Sequence, residues 1–137
     1  ALADVQSDRD AHQLAAEELR RLRRAAKQLV PVPTDADLHA LRITAKRARY
    51  GAELVFAGHE RKRLRRYLEA LKELQDVVGE HQDAVVAEER LRELSAEHTA
   101  LAAGRLIECG RLRRAEQRRL YPAVLATVLE RGTKALG

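Results

Sequence analysis

Apolar residues recur along this chain at intervals of three and four, and nowhere alternate long enough to predict a strand. Ala11, Ala15, Leu19, Leu22, Ala26 and Leu29 form one helical stripe. That helix, with Asp4 or Ser7 as its expected N-cap, must end near Leu29. The prolines of Val30-Pro31-Val32-Pro33 remove amide donors and push their predecessors out of helical geometry. Thr34 or Asp35 is placed to cap a second helix, whose core stripe is Leu38, Leu41, Ala45, Ala48, Ala52 and Val55. Gly58 is expected to close it in a left-handed C-cap. Leu64, Leu68, Leu71, Leu74 and Val78 define a third helix stopped by Gly79. A fourth, from about Asp83, carries Ala84, Ala87, Leu91 and Leu94. Leu101, Ile107, Leu112 and Ala115 mark a fifth that leads to a kink or break at Pro122. The expected fold is all-α: a leading helix in residues 1–30, then an antiparallel four-helix bundle over 34–137.

Composition narrows this picture. The 137 residues suit one domain. A single cysteine excludes a disulfide framework or a cysteine-ligated zinc site. No apolar run approaches the roughly 18 residues of a membrane span, and no signal peptide is visible, so a cytoplasmic location is expected. The chain has no methionine and opens on Ala1, which suggests a piece of a longer protein.

Charge changes the picture more. Lys and Arg number 26 against 21 Asp and Glu, and 21 of the 26 are arginine. On a helical wheel His39, Arg42, Lys46 and Arg49 fall within an arc of roughly 80°, beside the core stripe of the second helix, and Arg47 turns to the far flank. No carboxylate occurs between Asp37 and Glu53 to neutralise this row, which spans about 15 Å of helix axis. Arg61, Arg65 and Lys72, continued by Gln75, line one side of the third helix, and Arg111, Arg114 and Arg118 align on the fifth. Arg20, Arg23, Arg24 and Lys27 cluster late in the first helix, where neighbouring glutamates make a solvated face the simpler reading. Arginine's planar fork suits phosphate oxygens, and a row at helical-turn spacing suits a repeating anion. With Tyr50, Phe56, Tyr67 and Tyr121 as the whole aromatic set, base stacking is poorly served, and nucleic acid is the less favoured polyanion.

Catalytic and metal-binding readings are weaker. His12, His39, His59, His81 and His98 show no metal-ligand spacing beyond the pair in His81-Gln82-Asp83, and there is no glycine-rich phosphate loop. Cys109 reads as a small packing residue. Asp76 and Asp83 offer the one route to an enzyme, as ligands of a divalent ion in phosphoester or polyphosphate processing. Their structural alternatives are holding a basic side chain or capping a helix.

The segment His39-Ala-Leu41-Arg42-Ile-Thr-Ala-Lys46-Arg47-Ala-Arg49-Tyr50 resembles the H-x-L-R-x-x-x-K/R-R-x-R-Y signature of CHAD domains, the conserved-histidine α-helical domains. Leu71-Lys72-Glu73-Leu74-Gln75-Asp76-Val77-Val78-Gly79, followed by Asp83, is similar to the family's second motif, L-K-x-L-Q-D-x-L-G-x-x-x-D. The resemblance covers about residues 36–95. It implies half of a double four-helix repeat around a basic cavity, binding inorganic polyphosphate without catalysis or cofactor and associating with polyphosphate granules. The implied contacts are His39, Arg42, Lys46, Arg47, Arg49 and Lys72; Arg65, Arg111, Arg114 and Arg118 join them on charge pattern alone. At half the family's length, two copies are expected to pair about a two-fold axis.

Overall fold

The computed structural model describes residues 2–94 and 99–137; Ala1 and His98 lie outside them. It holds four helices: α1 (Leu2–Gln28), α2 (Asp35–Gly58), α3 (Lys62–Leu94) and α4 (Ala100–Leu136). Each packs on its chain neighbours, and α1 closes the ring against α4, so the four share one core. Ala15, Leu19 and Leu22 of α1 pack with Leu38, Leu41 and Ala45 of α2, Tyr67, Leu71 and Leu74 of α3, and Leu125 and Val128 of α4. The all-α class is therefore as expected, but the leading helix is itself one of the four.

The expected third and fourth helices are one. Gly79 lies inside α3, and Asp83 caps nothing. Glycine weakens a helix interior by only about 1 kcal/mol, which Leu74, Val77, Val78, His81 and Ala84 outweigh by burial on both sides. Pro122 also lies inside a helix, α4. Its ring is exposed, while Tyr121, Leu125 and Val128 anchor the helix across it by burial.

The start of α2 follows the sequence expectation closely. Thr34 is the N-cap: its side chain accepts from Asp37 N–H, and Asp37 accepts from Thr34 N–H at 2.9 Å. That reciprocal box holds the Asp37 carboxyl below the usual carboxylate range, chiefly through the backbone hydrogen bond. The helix ends at Gly58 as expected, but not in a left-handed cap, because among the described residues only Gly137 has a positive φ. Gly58 is instead a close approach, where a Cβ would lie 3.0 Å from Asp8 Oδ1. Farther up the same contact, a Cβ on Gly51 would lie 3.1 Å from the Ala15 Cα, so α1 and α2 pack backbone to backbone.

Beyond the four-helix core, α3 and α4 continue together as an arm on which Leu94, Leu101, Leu106 and Leu112 are exposed. Cys109 stands exposed there too, and is not the packing residue expected. No helix among the described residues is long and apolar enough to cross a membrane.

Candidate functional site

The core stripe of α2 divides its charged residues between two neighbours. Arg47 faces α1, where its guanidinium lies 3.4 Å from the buried carboxylate of Glu18. It stands apart from the cationic row, as the helical wheel implies. His39, Arg42, Lys46 and Arg49 take the other flank, toward α3. Arg49 donates to Gln75 of α3 at 2.8 Å, and Arg42 lies across Gly79, its Nε 3.8 Å from where a Cβ would stand. The absence of a side chain at Gly79 thus gives the Arg42 guanidinium a flat place on α3. On that edge of α3, one turn before Gln75, stands Lys72. The two motif segments consequently face one another across a single helix–helix seam.

Arg42, Lys46 and Lys72 have no carboxylate within ion-pair distance among the described residues. Lys46 instead holds its ammonium 5.7 Å from the ring centre of Tyr50. Arg49 is a partial exception to the expected carboxylate-free row, since Glu53 accepts from its Nε at 2.8 Å. His39 is exposed at the N-terminal end of the row. At the opposite end Arg65 lies over Phe56, 5.9 Å from its ring centre, with Glu60 at 3.6 Å. The result is an open face, basic along its length, on which guanidinium and ammonium groups present donors at helical-turn intervals.

The arginines of α4 have a different part. Arg118 donates to Pro33 O at 2.6 Å and to Asp35 at 2.8 Å. Arg114 is paired with Glu88 and lies 3.7 Å from Asp35. Both sit where α2 begins, but two carboxylates neutralise them, and they clamp the entry of α2 onto α3 and α4. Arg111 is out on the arm, 3.7 Å from Glu108. All three expected site arginines of α4 are thus ion-paired and stand away from the α2/α3 face, and for Arg114 and Arg118 the carboxylates come from other helices, which aligned charges on a wheel do not reveal.

The clamp also explains His81. It is buried beside Asp35, with Nε2 3.4 Å from the carboxylate. Burial pushes its pKa down, Arg118 and Arg114 push the same way, and Asp35 opposes them. Glu88 is held below the usual carboxylate range, first by its hydrogen bond from Arg92. Sequence reading missed this cluster because Asp35 looked only like a helix cap. Among the described residues no group of three or more His, Cys, Asp or Glu is placed to hold a metal ion, and Asp76 and Asp83 lie exposed on α3.

Comparison with protein-family models matches residues 1–92 to the CHAD domain. No curated protein and no solved structure matches the chain. The matched span takes in α1, α2 and nearly all of α3, hence both faces of the basic seam. With 92 of 137 residues inside the match, the chain belongs to the CHAD domain family.

Proposed function

We propose that this chain binds inorganic polyphosphate on the α2/α3 face and catalyses no reaction on it. One observation carries the reading. On α4, Arg111, Arg114, Arg118, Arg119 and Lys134 are each paired with a carboxylate, but among the described residues Arg42, Lys46 and Lys72 line one seam without such partners. Unpaired cations that share an edge with half-buried arginines raise the local potential, and that field attracts a flexible polyanion. The face offers Arg forks and Lys point charges but only Tyr50 as a stacking surface, which favours bare phosphate over a nucleic acid. Association with polyphosphate granules in the cytoplasm follows from the same reading.

The test is a titration with polyphosphates of graded length at two salt concentrations, on the parent chain and on Arg42→Ala/Lys46→Ala. With about four phosphate contacts, affinity should fall roughly 50-fold between 50 and 200 mM salt and rise with chain length. The double variant should lose most of that affinity while keeping its helicity, and intact binding would overturn the site. Displacement of polyphosphate by single-stranded RNA at equal phosphate concentration would favour nucleic acid instead. Release of phosphate on addition of Mg²⁺ or Mn²⁺ would favour the enzymatic alternative through Asp76 and Asp83.

A further inference from the structure

On the other flank of α3, a second basic cleft of about 500 Å³ opens against α4. It is lined by Arg63, Arg66, Thr127, Glu130, Arg131 and Lys134. Four cations thus face a single carboxylate. The cleft is organised without a ligand: Arg131 Nη1 donates to the Arg66 carbonyl at 3.1 Å, which fixes that guanidinium against α3. Lys134 is held by Glu130 at 2.9 Å, one turn earlier on α4. Lys134, Arg131 and Arg66 all keep the Glu130 carboxyl below its usual range, the hydrogen bond from Lys134 most of all. Glu130 is hydrogen-bonded by Lys134, and among the described residues neither Arg63 nor Arg66 has a carboxylate within ion-pair distance. Arg63 and Arg66 also stand in the first turns of α3, where the unpaired backbone N–H groups add positive potential.

We propose that this α3/α4 cleft is a second oxyanion site, taking a phosphoryl group in the fork of Arg63, Arg66 and Arg131. Thr127 stands at its wall, its hydroxyl donating to Ala123 O at 3.1 Å. The volume is ample for a short run of linked phosphoryl groups. The run Arg61-Lys62-Arg63-Leu64-Arg65-Arg66 winds round α3 from the α2 edge to the cleft, so the two basic surfaces are joined by a cationic collar. The same phosphoryl chemistry therefore has two sources: a short free polyphosphate, or the overhanging end of a chain bound on the α2/α3 face. The choice of phosphoryl over other anions rests on the polyphosphate reading; the cleft itself does not.

Calorimetric titration with tripolyphosphate and with long-chain polyphosphate tests this on the parent, on Arg63→Gln/Lys134→Gln and on Arg42→Ala/Lys46→Ala. If the cleft takes short anions, Arg63→Gln/Lys134→Gln loses one equivalent of tripolyphosphate, and Arg42→Ala/Lys46→Ala retains it. If the cleft takes only the end of a bound chain, Arg63→Gln/Lys134→Gln weakens long-chain binding about tenfold and leaves tripolyphosphate unchanged. The altered positions are surface side chains, and circular dichroism should show parental helicity. Parental stoichiometry and affinity for both ligands in Arg63→Gln/Lys134→Gln would overturn the second site. Failure of the α2/α3 reading would appear separately, as parental binding by Arg42→Ala/Lys46→Ala.

Discussion

Glu53 is the one acid that the basic face of α2 tolerates, and removing its charge should tighten polyphosphate binding. Glu53 accepts from Arg49 Nε at 2.8 Å, and Arg49 also donates to Gln75 at 2.8 Å. A phosphate oxygen taken up by the same guanidinium would stand about 6 Å from the Glu53 carboxylate. Two unit charges at that distance repel by roughly 0.7 kcal/mol in bulk water, and by several times that at a drier surface. The Glu53 and Arg49 side chains are 41% and 34% exposed, so screening holds the effect near the aqueous limit. Glu53→Gln should therefore raise affinity about threefold to tenfold and steepen the salt dependence by about 0.7–0.9 in log–log slope, one further contact. The lost ion pair costs about 0–1 kcal/mol of stability. Anisotropy with an end-labelled polyphosphate at 50 and 200 mM salt measures both quantities. Glu116→Gln is the control, because it makes the same change in net charge beside Arg119 on α4, outside the α2/α3 face. Equal gains in both variants would mean that net charge alone acts. A loss in Glu53→Gln would mean that Glu53 positions Arg49 for the ligand. Either result refutes the idea that Glu53 competes with phosphate for Arg49.

Three further outcomes test the fold around the site. Gly132→Ala would put a Cβ 2.6 Å from Leu19 Cδ1 and 2.9 Å from Tyr67 Cε1, both buried, so overpacking of about 1–3 kcal/mol should exceed the roughly 1 kcal/mol gain in helix propensity. A Cβ on Gly110 meets nothing within 4 Å, so Gly110→Ala should stabilise by about 1 kcal/mol; urea midpoints that move the same way in both would refute this packing. His81 has its pKa lowered in the folded chain, so the unfolded chain binds its proton first; its contribution is whole above the ordinary imidazole value of 6.5 and is lost as pH falls below it. The melting temperature should drop between pH 7.5 and 5.5, and His81→Gln should flatten that slope; an unchanged slope assigns the drop elsewhere. Arg47→Ala should leave polyphosphate affinity unaltered but lower stability by about 1 kcal/mol, because buried Glu18 keeps only Arg21 at 3.3 Å. A tenfold loss of affinity there would return Arg47 to the binding face.

Local signals were legible where they act within one turn. A cap at Thr34 or Asp35, the helix end before the paired prolines and the wheel angle of Arg47 each depend on close neighbours in sequence, and the structure agrees, choosing Thr34 as the cap. Gly79 misled as a helix stop, and of the kink or break expected at Pro122 the break does not occur, because both are read by their backbone cost alone. Burial of the residues on either side, set by other helices, outweighs that cost. The α4 arginines misled for a related reason. Arg114 and Arg118 form an even row in sequence, yet Asp35 is 83 positions from Arg118 and Glu88 is 26 from Arg114. The same long-range pairing hid the Arg63–Lys134 cleft, whose halves lie at the two ends of the α3/α4 hairpin.

The basic face owes its position to small residues. Ala45, Ala48 and Ala52 are buried along the core stripe of α2, and Gly79 stands on the facing edge of α3. The alanines leave the core stripe without bulk, and the bare Gly79 leaves the space that the Arg42 side chain occupies. The stems of Arg42 and Arg49 lie over the seam, half-buried, with their polar heads gathered at its surface. On α4 Arg118 and Arg114 meet Asp35 and Glu88 and become clamps, and on α2 Arg47 meets Glu18 of α1. Arg49 shares its guanidinium between Glu53 and Gln75, while Arg42 meets a glycine, which cannot neutralise it. What separates a binding arginine from a structural one in this chain is therefore its partner on the next helix, and not its density or its spacing in the sequence.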